Sequence, residues 1–361
     1  MYYLIGLASR PIQFEGSYAD SITKLLMLLV TSFIIYFTTQ QYLYRRLIVE
    51  NKEIQVFNAF IVPVVISSLY AIYQQSMGIR DIVGSQVLHG YARTKGVYGN
   101  PNALGYVANL GQLLILYSLY KHDKWYWLKL LLLPAMLYVS FLSLSRASMI
   151  TSVALLLIVI GWITVKFLNV GRKARFRHFF IVAIPTVIFT YITLNFETLL
   201  HKYTKFGTTK KILSLIDLFT KGKVDNSTTS GRTELVEFGM HKIAERPFFG
   251  NGLGFFRRFP EDTGLVHGVH NTYLLVLGDA GLFAFAAMMI FIFYVLIKSL
   301  FVKTFSGLLA FGCMFIWAMH NIGGHNGLED KMYNIMVMFS VMYLWYGQKQ
   351  QKIERKLKLK T

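Results

Sequence analysis

The feature that most limits this chain is a series of apolar runs about 20 residues long, separated by charged connections. Twenty helical residues rise about 30 Å, the thickness of a bilayer's hydrocarbon core. Nine such spans are expected, at approximately 22–42, 54–75, 102–120, 126–144, 147–167, 178–196, 272–297, 305–322 and 332–347. A backbone amide in lipid finds no water, so each span must satisfy its hydrogen bonds internally as a helix. Composition agrees. Of 361 residues 54% are apolar and only 15% charged, where soluble proteins carry about 25% charged residues. A soluble enzyme fold and a disordered chain are both excluded, and a single cysteine rules out an internal disulfide or a cysteine-based zinc cluster. The expected fold class is all-α, a polytopic transmembrane helical bundle.

Orientation follows from the basic residues of the short connections. One side collects nineteen Lys and Arg, among them Arg45, Lys121, Lys124, Lys129, Arg172, Lys298 and the six of the C-terminal tail; the other side's short connections hold seven. The richer side is read as cytoplasmic. The domain picture is then N-terminal transmembrane helices over 1–196, a large extracytoplasmic loop with short helices over 197–270, C-terminal transmembrane helices over 271–347 and a basic cytoplasmic tail over 348–361. Much of the net charge of +19 serves topology and contact with anionic membrane lipids. No basic patch is interleaved with soluble aromatic modules, so no nucleic-acid partner is expected. Nine spans with the C-terminus inside put the N-terminus outside, although no cleavable signal precedes the first span.

Four stretches fall on the outward side. The first is RTKGVYGNPNALG (93–105). Asn100-Pro101-Asn102 signals a turn that starts a helix, while Arg93 and Lys95 just before it suit an anion; both readings stand. The second is SLSRAS (143–148). A charge at the bilayer centre costs about 2.5–3.5 kcal/mol even on the lenient insertion scale, so Arg146 either snorkels to headgroups or sits in a polar pocket with Ser143, Ser145 and Ser148. The third is SGRTELVEFGMHKIAERPFFGNGLGFF (230–256). Its early glutamates and late basic residues match a helix dipole, and Pro247 stops the helix. Arg232 at the N-terminal end of that helix makes an anion site. GNGLG follows no strand and so reads as a flexible bend against the membrane, not a dinucleotide loop. The fourth is HNTYLLVLGDAGL (270–282). His270 is either an interfacial polar residue or a proton acceptor suited to neutral pH. Asp279, nine residues on, is an intramembrane carboxylate and therefore a functional suspect, placed to orient a neighbouring helix or pair with an arginine. No spacing puts two histidines and a carboxylate on one helical face, so no metal site and no cofactor are expected.

NPN before a span, SxSR between spans, GR with a helix and PFFGNGLG in a long outer loop, then HNTY opening the next span: this order resembles the O-antigen ligase and polymerase superfamily, over roughly residues 90–345. The resemblance implies a GT-C-like helical architecture in the bacterial inner membrane, with the active site on the extracytoplasmic side. It also implies metal-independent, inverting transfer of a glycan from an undecaprenyl-diphosphate donor. Ligases pass the glycan to lipid A–core; polymerases pass it to another lipid-linked repeat unit, with a flippase and a chain-length regulator as partners. Position by position, Arg146 and Arg232 match the arginines that bind the donor diphosphate, Arg93 matches more weakly, and His270 matches the general base or acceptor-positioning residue. Asn100, Asn102, Ser145, Asn271 and Asp279 would support them. Family members commonly have about twelve spans, so earlier spans are expected of homologues.

A transporter or flippase is the main rival. It would place intramembrane charges along a two-sided pathway, often with internal repeats, whereas here the suspects share one face and no repeat is visible. A membrane scaffold is a third reading. Between ligase and polymerase, the Lys-, Ile-, Phe- and Tyr-rich composition leans slightly to capsule or exopolysaccharide polymerisation.

Overall fold

The computed structural model describes residues 53–77, 94–98, 100–120, 125–143, 145–167, 232–256, 271–302, 304–324 and 331–358, with isolated positions within 26–45 and 179–187. The expected spans 22–42 and 178–196 therefore lie outside the described residues, those positions excepted. Among the described residues there is no strand. The chain divides into two compact units, Arg46–Val224 and Met1–Arg45 with Asp225–Thr361.

The first unit holds α1 (Glu53–Ser76), α2 (Pro101–Tyr120), α3 (Tyr126–Leu142) and α4 (Arg146–Phe167). α2 packs against the other three. Phe57 near the start of α1 meets Tyr117 near the end of α2, edge to face at 4.8 Å, while Ala71 late in α1 shares a core cluster with Leu104 early in α2. The two helices are thus antiparallel. α1 and α3 run through Pro63 and Pro134; an apolar length of chain offers them no alternative to helix.

The second unit holds α5 (Arg232–Glu245), α6 (Thr272–Leu300), α7 (Phe305–Gly323) and α8 (Lys331–Lys358). α6 packs against α5, α7 and α8, and α7 against α8. Among the described residues four helices are long and apolar enough to cross a bilayer: Phe57–Ser76, Pro101–Tyr120, Thr272–Leu300 and Phe305–Gly323. Tyr126–Leu142 and Arg146–Trp162 are apolar but shorter.

Helix α8 outruns its expected end at 347 and carries the basic residues on to Lys358. Nothing after Gly347 breaks it, because Gln, Lys, Glu, Arg and Leu are good helix formers. Gln351 also donates to the Phe301 carbonyl at 3.3 Å, so this half of α8 meets the turn between α6 and α7. Lys298 over the Tyr294 ring and Lys349 over the Trp345 ring belong to the same end. The HNTY motif opens α6 at the opposite end.

Candidate functional site

In the first unit, NPN and SLSR come to the same end. Asn100 caps α2: its Oδ1 accepts from the Asn102 amide at 2.8 Å, with Pro101 in the first helical position where a missing N–H costs nothing. Ser145 caps α4 in the same way, its Oγ accepting from the Ser148 amide at 3.4 Å. Arg146 is the first residue of α4 and half-buried. The starts of α2 and α4 touch through Gly105, where a Cβ would meet the side chains of Ser148 and Ser143. Small residues at a crossing let membrane helices approach closely. Gly96, at φ 62°, turns the segment after Arg93 so that its amide donates to Gln74 Oε1 at 3.1 Å. Thr94 bonds Gln75 at 2.8 Å, which fastens this segment to the end of α1. Arg93 itself lies outside the described residues.

Below that end, a buried polar seam joins α2, α3 and α4. Asn109 donates to the Ser148 carbonyl at 3.1 Å and accepts from Ser140 at 3.1 Å, and Ser140 Oγ lies 2.6 Å from Ser148 Oγ. One turn deeper, Gln112 and Ser152 pair reciprocally: the amide donates to the Ser152 carbonyl at 3.0 Å and Oε1 accepts the hydroxyl at 2.7 Å. The seam was not foreseen from sequence. Its signal was there, since Asn109 and Gln112 are three apart, and Ser148 and Ser152 four apart, within apolar runs. Lys129 is a second surprise. Read from sequence as a connection charge, it is 4% exposed and its Nζ donates to Asn58 Oδ1 at 2.6 Å and Ser118 Oγ at 2.5 Å, at the far end of the unit.

In the second unit the central feature is a broken helix. α6 departs from helical geometry at Gly281, φ 75° and ψ −173°, a conformation essentially confined to glycine. The break strands backbone groups in the middle of an apolar segment, and the PFFGNGLG stretch takes them up. The Asn251 amide donates to the Gly278 carbonyl at 2.8 Å, the Gly252 amide to the Asp279 carbonyl at 3.0 Å, and the Leu282 amide to the Pro247 carbonyl at 2.7 Å. Asp279, fully buried, accepts from the Gly254 and Phe256 amides, each at 3.0 Å. Phe256 fills the space that Gly278 leaves open and reaches Gly239 on α5. Asn251 completes the link by donating to the Lys242 carbonyl at 3.0 Å. GNGLG is indeed a bend, but a clamped one. Its partners Gly278 and Asp279 lie six and seven residues inside α6, about 9–11 Å along the helix from Thr272.

Asn271 caps α6, its Oδ1 accepting from the Tyr273 and Leu274 amides at 2.9 and 3.2 Å. His270, one residue earlier, lies outside the described residues. Arg232 opens α5, as its sequence position suggested. Arg146, Asn100, Asn102 and Ser145 thus belong to the first unit, while Arg232, Asn271 and Asp279 belong to the second. Among the described residues no three His, Cys, Asp or Glu side chains group as metal ligands.

Residues 130–289 match the family model described as O-antigen ligase. That stretch belongs to the O-antigen ligase superfamily. It runs from α3 past the middle of α6, and takes in SLSR, Arg232, the clamped loop and HNTY, leaving NPN outside. The match supports a membrane, glycan-related function in polysaccharide biosynthesis, a family setting that implies lipid-linked glycan substrates. No curated protein matches the chain.

Proposed function

We propose that the protein transfers a glycan from undecaprenyl diphosphate to an acceptor hydroxyl at the outer leaflet of the bacterial inner membrane. The observation that carries this reading is the ligase match itself, which is continuous over 130–289 and contains Arg146, Arg232 and His270. A diphosphate leaving group needs no acid if fixed cations meet its growing charge, and guanidinium groups do this bidentately. Arg146 and Arg232 supply them, with Arg93 in reserve. An acceptor hydroxyl is a poor nucleophile until a base removes its proton, which is the role of His270. The acceptor oxygen attacks the anomeric carbon, the bond to the diphosphate oxygen breaks with its electron pair, and the hydroxyl proton passes to the imidazole. No metal is required. Acceptors of two kinds suit this chemistry, lipid A–core for a ligase and a lipid-linked repeat unit for a polymerase, the latter working beside a flippase and a chain-length regulator.

The test is transfer in vesicles from a lipid-linked repeat unit to acceptor. His270→Ala should slow transfer about 10²–10⁴-fold, the usual contribution of a general base, and Arg232→Ala about 10²–10³-fold, as for loss of a charge-stabilising donor. Full activity in the double variant rejects the site. One observation favours a second reading: a helix broken at membrane depth also marks transporters, and α6 is broken at Gly281. Flipping of the lipid-linked unit without covalent transfer would select it.

A further inference from the structure

Asn321 lies in the last turn of α7, and its side chain is 1% exposed. Among the described residues neither its Oδ1 nor its Nδ2 has a hydrogen-bond partner. A buried amide in this condition is costly and calls for an explanation. Its place supplies one. Tyr273 Oη donates to the Ala318 carbonyl at 2.8 Å, and Thr272 Oγ1 to the Gly324 carbonyl at 2.7 Å. These bonds bracket Asn321 and lay its helical turn along the head of α6, whose cap is Asn271.

We infer that Asn321 is a binding residue for a sugar hydroxyl of the glycan that the protein handles, an inference that rests on the transferase reading. The ligand class follows from donor and acceptor arithmetic. An amide offers two donors and an acceptor side by side, and a hydroxyl both gives and takes a hydrogen bond. Phosphate oxygens only accept, so a diphosphate would leave Oδ1 unsatisfied and facing negative charge. A hydroxyl satisfies both ends. Donor and acceptor glycans share this chemistry, and kinetics separate them.

The experiment compares full-length wild type with Asn321→Leu, which has the same branching but is apolar. Removing an unsatisfied buried amide should raise the melting temperature in detergent by a few degrees. It should also raise KM at least tenfold for whichever substrate, lipid-linked donor or acceptor, presents the hydroxyl, with a smaller change in kcat. In a binding arm, the undecaprenyl-diphosphate repeat unit should stabilise wild type more than glycan-free undecaprenyl diphosphate does. The variant should show equal shifts for the two lipids. Asn321→Ala, which removes donors and acceptor without adding bulk or charge, repeats both arms if the leucine variant fails to fold. Leucine and alanine variants that both melt several degrees lower than wild type assign Asn321 a protein partner and overturn the inference. Unchanged KM and an unchanged glycan-dependent shift overturn it too. If wild type shows the glycan-dependent shift but no transfer, the transferase reading fails and the binding site stands.

Discussion

A carboxylate in the middle of an apolar helix needs donors, and the sequence offered Asp279 two sources, an arginine or a neighbouring helix. The structure adds a third, the backbone of a glycine-rich loop, through the Gly254 and Phe256 amides. Such a partner is invisible to a search for opposite charges, because every residue carries an amide. Asp279→Ala leaves two buried N–H groups without this acceptor, and unmet buried groups cost about 1–3 kcal/mol each. The variant should melt several degrees lower in detergent and be cut faster by protease within 246–256. The glycines give a sharper contrast. A Cβ on Gly281 would strike the Phe248 carbonyl, and φ there is 75°; a Cβ on Gly161 of α4 meets nothing within 4 Å. Gly281→Ala should therefore destabilise by about 1–3 kcal/mol or more, while Gly161→Ala should be neutral or add up to about 1 kcal/mol. Thermal melts of the two variants side by side check the sign of each.

At the scale of elements, helix positions were legible because the period of the chemistry is the length of the span. Apolar runs at 54–75, 102–120, 126–144, 147–167, 272–297, 305–322 and 332–347 all fall on helices. Helix starts were legible too. Asn100 and Ser145 each cap the helix they precede, and Asn271 caps α6, so three of the motifs double as N-terminal signals. On the proposed function, the N-terminal partial charge of α2 and α4 would add to the pull of Arg146 on the donor diphosphate. The end of α8 was misjudged because the switch from apolar to basic residues marks a change of surroundings, not of backbone. Helix-to-helix bonding was out of reach of periodicity: a lone Asn or Gln in an apolar run shows that a partner exists, not where. The Gln112–Ser152 pair tests how much such bonding matters. A double-mutant cycle with Gln112→Ala and Ser152→Ala should give a coupling of about 0.6–1.7 kcal/mol, the range found between membrane helices. A value near zero would make the seam a passenger of packing.

For the whole molecule, what was legible was a class of chemistry, and the reason is physical. The stretch 130–289, which matches the ligase family, holds Arg146, Arg232 and His270, and a charge in or near a membrane span is a functional suspect by default. Their arrangement in space was not legible, since sequence order fixes which end of a helix a residue occupies but not which helices face each other. The reading requires Arg146 of one unit and Arg232 and His270 of the other to open on one aqueous compartment, opposite the basic end marked by Lys298 and Lys349. The native chain suits a labelling test because its one cysteine, Cys313, is buried within α7. Background from a membrane-impermeant maleimide should therefore be low. Cysteines placed one at a time at Val97, Arg146, Arg232 and His270 should label in intact cells from outside, and lipid-linked glycan should protect the last three. A cysteine at Lys352 should label only after the membrane is opened. Outside labelling at Lys352, or labelling of Arg146 and His270 positions from opposite sides, would separate the guanidinium from the imidazole by a bilayer. No single diphosphate-bearing glycan could then reach both.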